Sequence, residues 1–534
     1  DPHAQGRHDQ LPPEPGGGLG TGSGTDSAVQ YWESLLASTD QISVVPQNRF
    51  AVEKYYDDDQ TVPGKLTTQF GGFIQDVEEF DASFFGISRR EAESMDPQQR
   101  LLLEVTWEAL EDAGMVPGQL RGQKVGVIVG IAGSEYGAMQ LQKYKSIEPH
   151  SGTGSATSIA ANRISYTFDF RGPSYAIDTA CSSSLASVHL ACQSIWTGEA
   201  PLVIAGGTNM ILSPALTINF SKASAMAKDG RCKMFDNSAD GYVRSEGVGL
   251  TVLKPLSAAE RDGDSIYAVI HSTATIQDGR TNGLMAPNKS SQVAVIREAL
   301  ARASIAPEQI SFVEAHGTGT FLGDTVESEA LSQALRPESV EAPPCWVGSA
   351  KTSIGHLEGA AGVAGLMKCA LSLHHRTLAP NLHLKKVNDR IDLEKLRLRV
   401  PTTQELLSSR DEPIYAGLSS FGFGGTNVHA ILSTASSSGS ESIQSKPPGD
   451  RLYLLPLSAR TPDSLGRLAQ KYAEWLEKKE VSSLDLTYSA SVRREHHNSR
   501  ATFVFRTQEE LIQQLRAESI TSVTLGPRKP KLVF

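Results

Sequence analysis

Cysteine is scarce in this chain. Its five residues, Cys181, Cys192, Cys232, Cys345 and Cys369, are scattered through 534 positions with no CxxC pair, which excludes a disulfide framework and gives no zinc-finger spacing. A reducing, cytoplasmic setting fits that usage. Long apolar runs are also missing. The longest, such as Val125 to Ile131, are strand-sized and broken by glycine, far short of the roughly 20 residues a membrane helix needs, so no membrane association is expected. No charged segment followed by an apolar one opens the chain, so no secretory signal is expected. The net charge is −10 and no long basic run occurs, which argues against nucleic acid as a partner. The glycine-rich start contains neither GxGxxG nor GxxxxGK[ST], so it is not read as a phosphate-cradling loop.

What is present is ordinary globular composition, 39% apolar and 21% charged, enough to bury a sizeable core. Residues 1–30, with glycine at six of the nine positions from Gly16 to Gly24, read as a flexible leader. A Ser/Gly/Pro-rich stretch at 436–451 separates a body, 31–435, from a tail, 452–534. In the body, short apolar runs bounded by Gly, Pro and Ser alternate with helical patterns, which predicts a layered α/β architecture. Val125 to Ile131, Tyr175 to Ile177, Leu202 to Ala205 and Ser311 to Ala315 read as buried strands. Asp96-Pro97 opens a largely buried helix. The stretch from Leu357 to Met367 holds so many small residues that it predicts a helix pressed closely against its neighbours. The tail reads as a small α/β module: a strand at Leu452 to Leu457, a helix from Thr461 to about Lys478, a strand at Ala501 to Phe505 and a helix at Gln508 to Arg516.

Four segments carry chemistry. In Asp178-Thr-Ala-Cys181-Ser-Ser-Ser, a strand runs into Cys181 and a helix leaves it, with Leu185, Val188, Cys192 and Ile195 on one face. The free N–H groups and positive dipole of a helix start favour thiolate, so a lowered thiol pKa is expected. A lone cysteine is otherwise more often a small core hydrophobe. His316-Gly-Thr-Gly-Thr follows one strand, and Lys351-Thr-Ser-Ile-Gly-His356 precedes the small-residue helix. Each histidine could be a satisfied core residue or half of a metal pair, but HExxH-like spacing is missing and no metal is expected. Ser419 to His429 encloses Gly422-Phe-Gly-Gly-Thr-Asn427, a loop whose glycines permit inward-pointing N–H groups, or simply a tight turn.

Together these segments resemble the active site of a β-ketoacyl synthase, a condensing enzyme of the thiolase superfamily, in its polyketide-synthase form. Met95 to Glu104, Asp229 to Lys233 and Asp240 to Gly247 resemble further motifs of that family. The resemblance implies a thiolase-like αβαβα fold over 31–435. The tail is similar to the adaptor joining a ketosynthase to an acyltransferase, and Lys531 to Phe534 resembles the start of that acyltransferase. It further implies that Cys181 accepts an acyl chain from the phosphopantetheine arm of an acyl carrier protein, with no cofactor bound by the domain itself. The N–H groups of Cys181 and Phe423 then form the oxyanion hole, and Phe423 also gates the site. His316 and His356 polarise a malonyl-type extender as it loses carbon dioxide. Lys351 pairs with Glu327, to orient the histidines or as a plain ion pair. Thr318 and Thr320 bind the pantetheine arm or cap a helix. A homodimer is implied as well.

Three positions depart from the family pattern. An apolar first strand normally precedes the segment resembling Tyr31 to Leu36, and here the leader stands in its place, which leaves a core strand missing unless another segment fills the gap. Ser353 stands where Asn is common, and Phe50 where Trp is. Two alternatives remain: a non-elongating acyl-transfer scaffold, and the ketosynthase of an animal-type fatty acid synthase. The presence of both histidines weighs against the first, and Gln98-Gln99-Arg100 with the triple serine against the second.

Overall fold

The fold is taken from a computed structural model that describes residues 19–21, 27–142, 144–338, 341–407, 412–435, 451–517 and 520–525. Two sheets form its frame. The first contains β1 (Leu19–Thr21), β2 (Val125–Ile131), β3 (Ser174–Ile177), β4 (Leu202–Asn209) and β5 (Gly247–Leu253), in the order β1-β5-β4-β2-β3. Strands β3, β2 and β4 are parallel, while β5 and β1 run antiparallel to their neighbours. The second contains β6 (Val269–Gln277), β7 (Ile310–Glu314), β8 (Cys345–Gly348), β9 (Leu398–Arg399), β10 (Tyr415–Phe421) and β11 (Thr426–Ser433), in the order β9-β8-β7-β10-β11-β6. Apart from the extra β9, the two orders match strand for strand: a parallel block, then two antiparallel strands.

Helices fill the layers around the sheets. After α1 (Ala28–Leu36), α2 (Pro97–Asp112) and α3 (Ser158–Phe168) cover the outer face of the first sheet, and α4 (Ser183–Trp196) lies on its inner face. Helices α5 (Lys289–Ala303) and α6 (Phe321–Leu335) form the outer layer of the second sheet, and α7 (Ala361–His375) packs beside α4 between the sheets. The result is the five-layer αβαβα arrangement, in which each sheet is buried on both faces as parallel strands require. Helix α2 starts where expected: the Asp96 carboxylate accepts from the Gln98 N–H and Pro97 fills the first turn. Helix α7 is buried along nearly its whole length. Its small residues serve close approach, since a Cβ on Gly362 would lie 2.6 Å from the Leu185 backbone nitrogen. The segment expected to be helical from Leu357 instead begins with a 3₁₀ turn at Glu358–Ala360.

Several expectations are corrected. Strand β1 and the start of α1, whose Ser27 hydroxyl caps Gln30, fall within the stretch read as a leader. The gap at the first strand is therefore filled, by Leu19–Thr21 paired to β5. Strand β1 faces Gly247 to Gly249, and the next residues of β5, Leu250 to Leu253, line an apolar cavity of about 690 Å³ together with Ala28, Ala113, Ile270 and Leu432. Strand β3 is not buried, because it closes the edge of its sheet and Tyr175 is 49% exposed.

The tail has a core of its own. Strands β12 (Tyr453–Ala459), β13 (Ser499–Phe505) and β14 (Val523–Thr524) form an antiparallel sheet against α8 (Pro462–Lys478), α9 (Ser483–Val492) and α10 (Gln508–Leu515). Helix α9 and strand β14 escaped the sequence reading; α9 lacks a clean apolar stripe and buries only Leu486 and Ala490. The tail docks on α2, with Arg494 donating to the Glu111 carbonyl (2.9 Å), Glu495 accepting from the Gly118 N–H (2.8 Å) and His497 stacked on Trp107. The stretch 436–450 and Lys531 to Phe534 lie outside the described residues. Among the described residues no helix is long and apolar enough to cross a membrane.

Candidate active site

Cys181 stands between β3 and α4, on a one-turn 3₁₀ segment, Ala180–Ser182. The chain reverses sharply there, and Ala180 takes a φ of +57°, a left-handed conformation costing about 1 kcal/mol or more in a residue with a Cβ. Hydroxyl groups hold the turn. Ser182 donates to the Thr179 carbonyl (2.9 Å), Ser183 donates to the Ala180 carbonyl (2.6 Å) and accepts from the Thr179 N–H (2.9 Å), and Ser184 accepts from the Val363 N–H of α7 (3.0 Å). The triple serine thus secures the elbow and its seat against the middle layer.

The glycine loop is the turn between β10 and β11, and it closes over this elbow. Ser420 donates to the Cys181 carbonyl (2.9 Å), and a Cβ on Gly422 would stand 2.3 Å from the Thr179 carbonyl oxygen. Only glycine allows that approach. It brings the Phe423 N–H near the Cys181 sulfur, where with the Cys181 N–H it favours negative charge. Two preorganised donors therefore converge where an acyl oxygen on that sulfur would develop charge. The Phe423 side chain is 47% exposed, its ring edge-on to Phe220 at 6.2 Å.

The thiol itself departs from expectation. Burial pushes it up to about 12, with the Glu358 carboxylate adding to the effect, while Lys351 and the two N–H groups pull the other way without prevailing. Desolvation of the anion outweighs these attractions.

His316 follows β7, and His356 ends the loop before α7. Their ring centroids are 5.6 Å apart, with the planes at 83°. Each ring is held through Nδ1 by a backbone donor: the Phe421 N–H on His316 (3.3 Å) and the Glu358 N–H on His356 (3.0 Å). An N–H can only donate, so Nδ1 must accept and the proton of each neutral ring sits on Nε2. Burial and the charge of Lys351 hold both imidazoles well below their ordinary range, so both are neutral donors at physiological pH. Tyr242 packs against His356 at 5.0 Å.

The remaining expected residues surround this pair. Glu327 accepts from the backbone N–H groups of His316 (2.7 Å) and Gly317 (2.8 Å) and so fixes the His316 main chain. Lys351 is buried, and the charges of Glu314 and Glu327 act on it against a desolvation that lowers its pKa. The expected Lys351–Glu327 contact does not form: among the described residues their charged atoms do not come within 4.0 Å. The Glu327 oxygens are engaged by the main chain instead. Thr318 and Thr320 lie side by side, hydroxyl to hydroxyl at 3.2 Å, and the Thr320 hydroxyl does not cap α6. Asp324 carries that loop, accepting from the Gly319 (3.1 Å) and Phe235 (2.8 Å) N–H groups.

The sequence reading missed Glu358, Arg244 and Phe220, which lie behind His356 and the turn. Arg244 and Glu358 form a buried bidentate pair across 114 positions of sequence, at 2.6 and 2.9 Å. Both fall within or beside motifs noted from the sequence, but no spacing rule links them.

Comparison with known proteins agrees with this geometry. Residues 17–259 match the β-ketoacyl synthase N-terminal domain, 267–385 its C-terminal domain and 388–504 the ketoacyl-synthetase C-terminal extension. The chain belongs to the β-ketoacyl synthase family. It superposes on a ketosynthase from module 6 of the bacillaene synthase of Bacillus subtilis 168 with a TM-score of 0.86 and 36% identity, covering 95% of this chain and 86% of that one. For an oxazolomycin ketosynthase domain of Streptomyces albus JA3453 the values are 0.88 and 35%, covering 96% and 90%. A phenolphthiocerol/phthiocerol polyketide synthase polypeptide of Mycobacterium tuberculosis is 43% identical over 494 residues. Those residues are 92% of this ketosynthase and 32% of that protein, so the chain spans about a third of such a relative.

Proposed function

We propose that this ketosynthase performs decarboxylative Claisen condensation on carrier-bound substrates, as part of a polyketide synthase. The Cys181 sulfur attacks an acyl thioester on a phosphopantetheine arm, and the Cys181 and Phe423 N–H groups stabilise the tetrahedral oxyanion. The pantetheine leaves as a thiol, taking up the proton that Cys181 gives up. A malonyl-type thioester then enters with its carbonyl oxygen on the Nε2–H groups of His316 and His356. The bond to its carboxylate breaks, carbon dioxide departs, and the electron pair forms an enolate held by those two donors. Because the rings are neutral, they stabilise the enolate without protonating its carbon. The enolate attacks acyl-Cys181, the C–S bond breaks with its electron pair going to sulfur, and the Cys181 thiolate takes a proton from solvent as the β-ketoacyl product leaves.

Thr318 and Thr320 hydrogen-bond the pantetheine arm in this reading, Phe423 gates the cleft, and Lys351 and Glu327 keep the histidines neutral and in place. The domain, 31–435, works with an acyl carrier protein and a neighbouring acyltransferase, to which the tail from 452 is the adaptor. It acts as a homodimer in the cytoplasm. The observation that carries the reading is that one segment, Ser420-Phe421, ties the two sets of groups together: Ser420 donates to the Cys181 carbonyl and the Phe421 N–H to His316, whose ring lies 5.6 Å from the equally fixed ring of His356. Mass spectrometry after incubation with an acyl-pantetheine thioester tests it: one adduct is expected on the Cys181 peptide and none in Cys181→Ala. An adduct that persists in the folded variant would refute the assignment.

A further inference from the structure

Behind the cleft, one buried ion pair touches every part of the His356 setting. The Arg244 guanidinium grips both Glu358 oxygens, donates to Thr217 (3.0 Å) and stands 3.8 Å from Glu135. The main chain around Arg244 also brackets the histidine: the His356 N–H donates to the Val243 carbonyl (2.8 Å), and the His356 carbonyl accepts from the Ser245 N–H (2.9 Å). Glu358 has a φ of +45°, a left-handed conformation that a residue with a Cβ adopts only when its surroundings impose it. Its carboxylate is anchored on one side by Arg244, and its N–H donates to His356 Nδ1 on the other. The strained residue is thus the link between guanidinium and imidazole.

We propose that Arg244 and Glu358 are positioning residues for His356: the ion pair imposes the left-handed turn that aims the Glu358 N–H at Nδ1 and so keeps the His356 proton on Nε2, facing the substrate. The proposal rests on the condensation reading above for its kinetic consequence, not for its geometry. Replacing a buried pair by one unpaired partner is costly, so the isosteric Glu358→Gln is the gentler probe and Glu358→Ala the more complete one.

The same carboxylate opposes ionisation of Cys181, and this gives the test two readings of opposite sign. In Glu358→Gln, decarboxylation of a malonyl-pantetheine thioester should slow about 10- to 100-fold in kcat with little change in KM. Alkylation of Cys181 by iodoacetamide at fixed pH should be as fast as in the wild type or faster. A parallel loss of both activities would mark a merely structural role and overturn the proposal, as would unchanged decarboxylation. The tautomer is read without turnover, by long-range proton–nitrogen correlation on selectively ¹⁵N-histidine-labelled protein, with His356→Gln for assignment. Wild type should show His356 protonated on Nε2 alone, and Glu358→Ala a mixture; an unmixed Nε2–H tautomer in folded Glu358→Ala would also overturn it. If the wild type releases no carbon dioxide while the tautomers behave as described, the condensation reading fails and the positioning assignment stands.

Discussion

The two sheets share one strand plan, and the cleft draws one kind of group from each half. Cys181 lies between β3 and α4; His356 lies between the equivalent β8 and α7, and the two helices pack together in the middle layer. Burial acts on both, with opposite chemical consequences. It pushes the thiol up to about 12, away from its reactive anion, and the imidazoles down, into the neutral donor form the proposed decarboxylation needs. The histidine half is therefore preset for the proposed reaction, while the cysteine half depends on the substrate: in that reading the sulfur sheds its proton as it attacks, and the N–H pair serves the oxyanion that results.

The largest effect that could break this contrast is functional separation. His316→Ala and His356→Ala should each slow malonyl decarboxylation by about 10²- to 10⁴-fold and leave acyl loading of Cys181 within about threefold. Loading is followed by mass spectrometry and decarboxylation by released carbon dioxide. If either variant lost loading as severely as decarboxylation, the division of labour between the halves would be wrong.

A smaller effect sharpens the cysteine side. Thiolate is the species that reacts, so a thiol titrating at about 12 makes the alkylation rate of free Cys181 climb about tenfold per pH unit. The climb should continue through pH 9 without levelling. The sign follows from the raised pKa, since below it each unit of pH multiplies the anionic fraction. A plateau near pH 7 in the iodoacetamide rate would show a resting thiolate and would place both halves in the preset class.

Much of this was legible in the sequence. The elbow at Cys181, the two histidine loops and the glycine turn are local patterns, each written within about ten consecutive residues, and the alternation of strand and helix gave the layers. What escaped reading depends on contacts between distant segments. The thiol shift comes from burial by segments far apart in sequence and from the charge of the Glu358 carboxylate. The Arg244–Glu358 pair joins residues 114 apart. The expected Lys351–Glu327 contact was plausible by charge, but the Glu327 oxygens had nearer partners in the main chain at 316 and 317. Strand β1 was hidden because Leu19-Gly20-Thr21, within a glycine-rich run, carries no alternation of its own; its pairing is supplied by β5.

That strand supplies the smallest and most local way to test the two-halves comparison. In the second sheet the position beside β11 is held by β6, Val269–Gln277; in the first the equivalent position beside β5 is held by β1, Leu19–Thr21. The apolar cavity of about 690 Å³ is reached from the first half by Leu250 to Leu253 and by Ala113 at the end of α2, and from the second by Val269, Ile270 and Leu432. Ala274, within β6, is fully buried in the second half's core. The same change should therefore have opposite signs in the two places. Ala113→Leu extends apolar surface into open volume and should raise the unfolding free energy by about 0.5–1 kcal/mol, whereas Ala274→Leu overpacks a filled core and should lower it by about 1–3 kcal/mol. Urea unfolding followed by tryptophan fluorescence reads both. Equal losses would mean that the space beside Ala113 is as tightly closed as the core around Ala274, with no volume left for a larger side chain to fill.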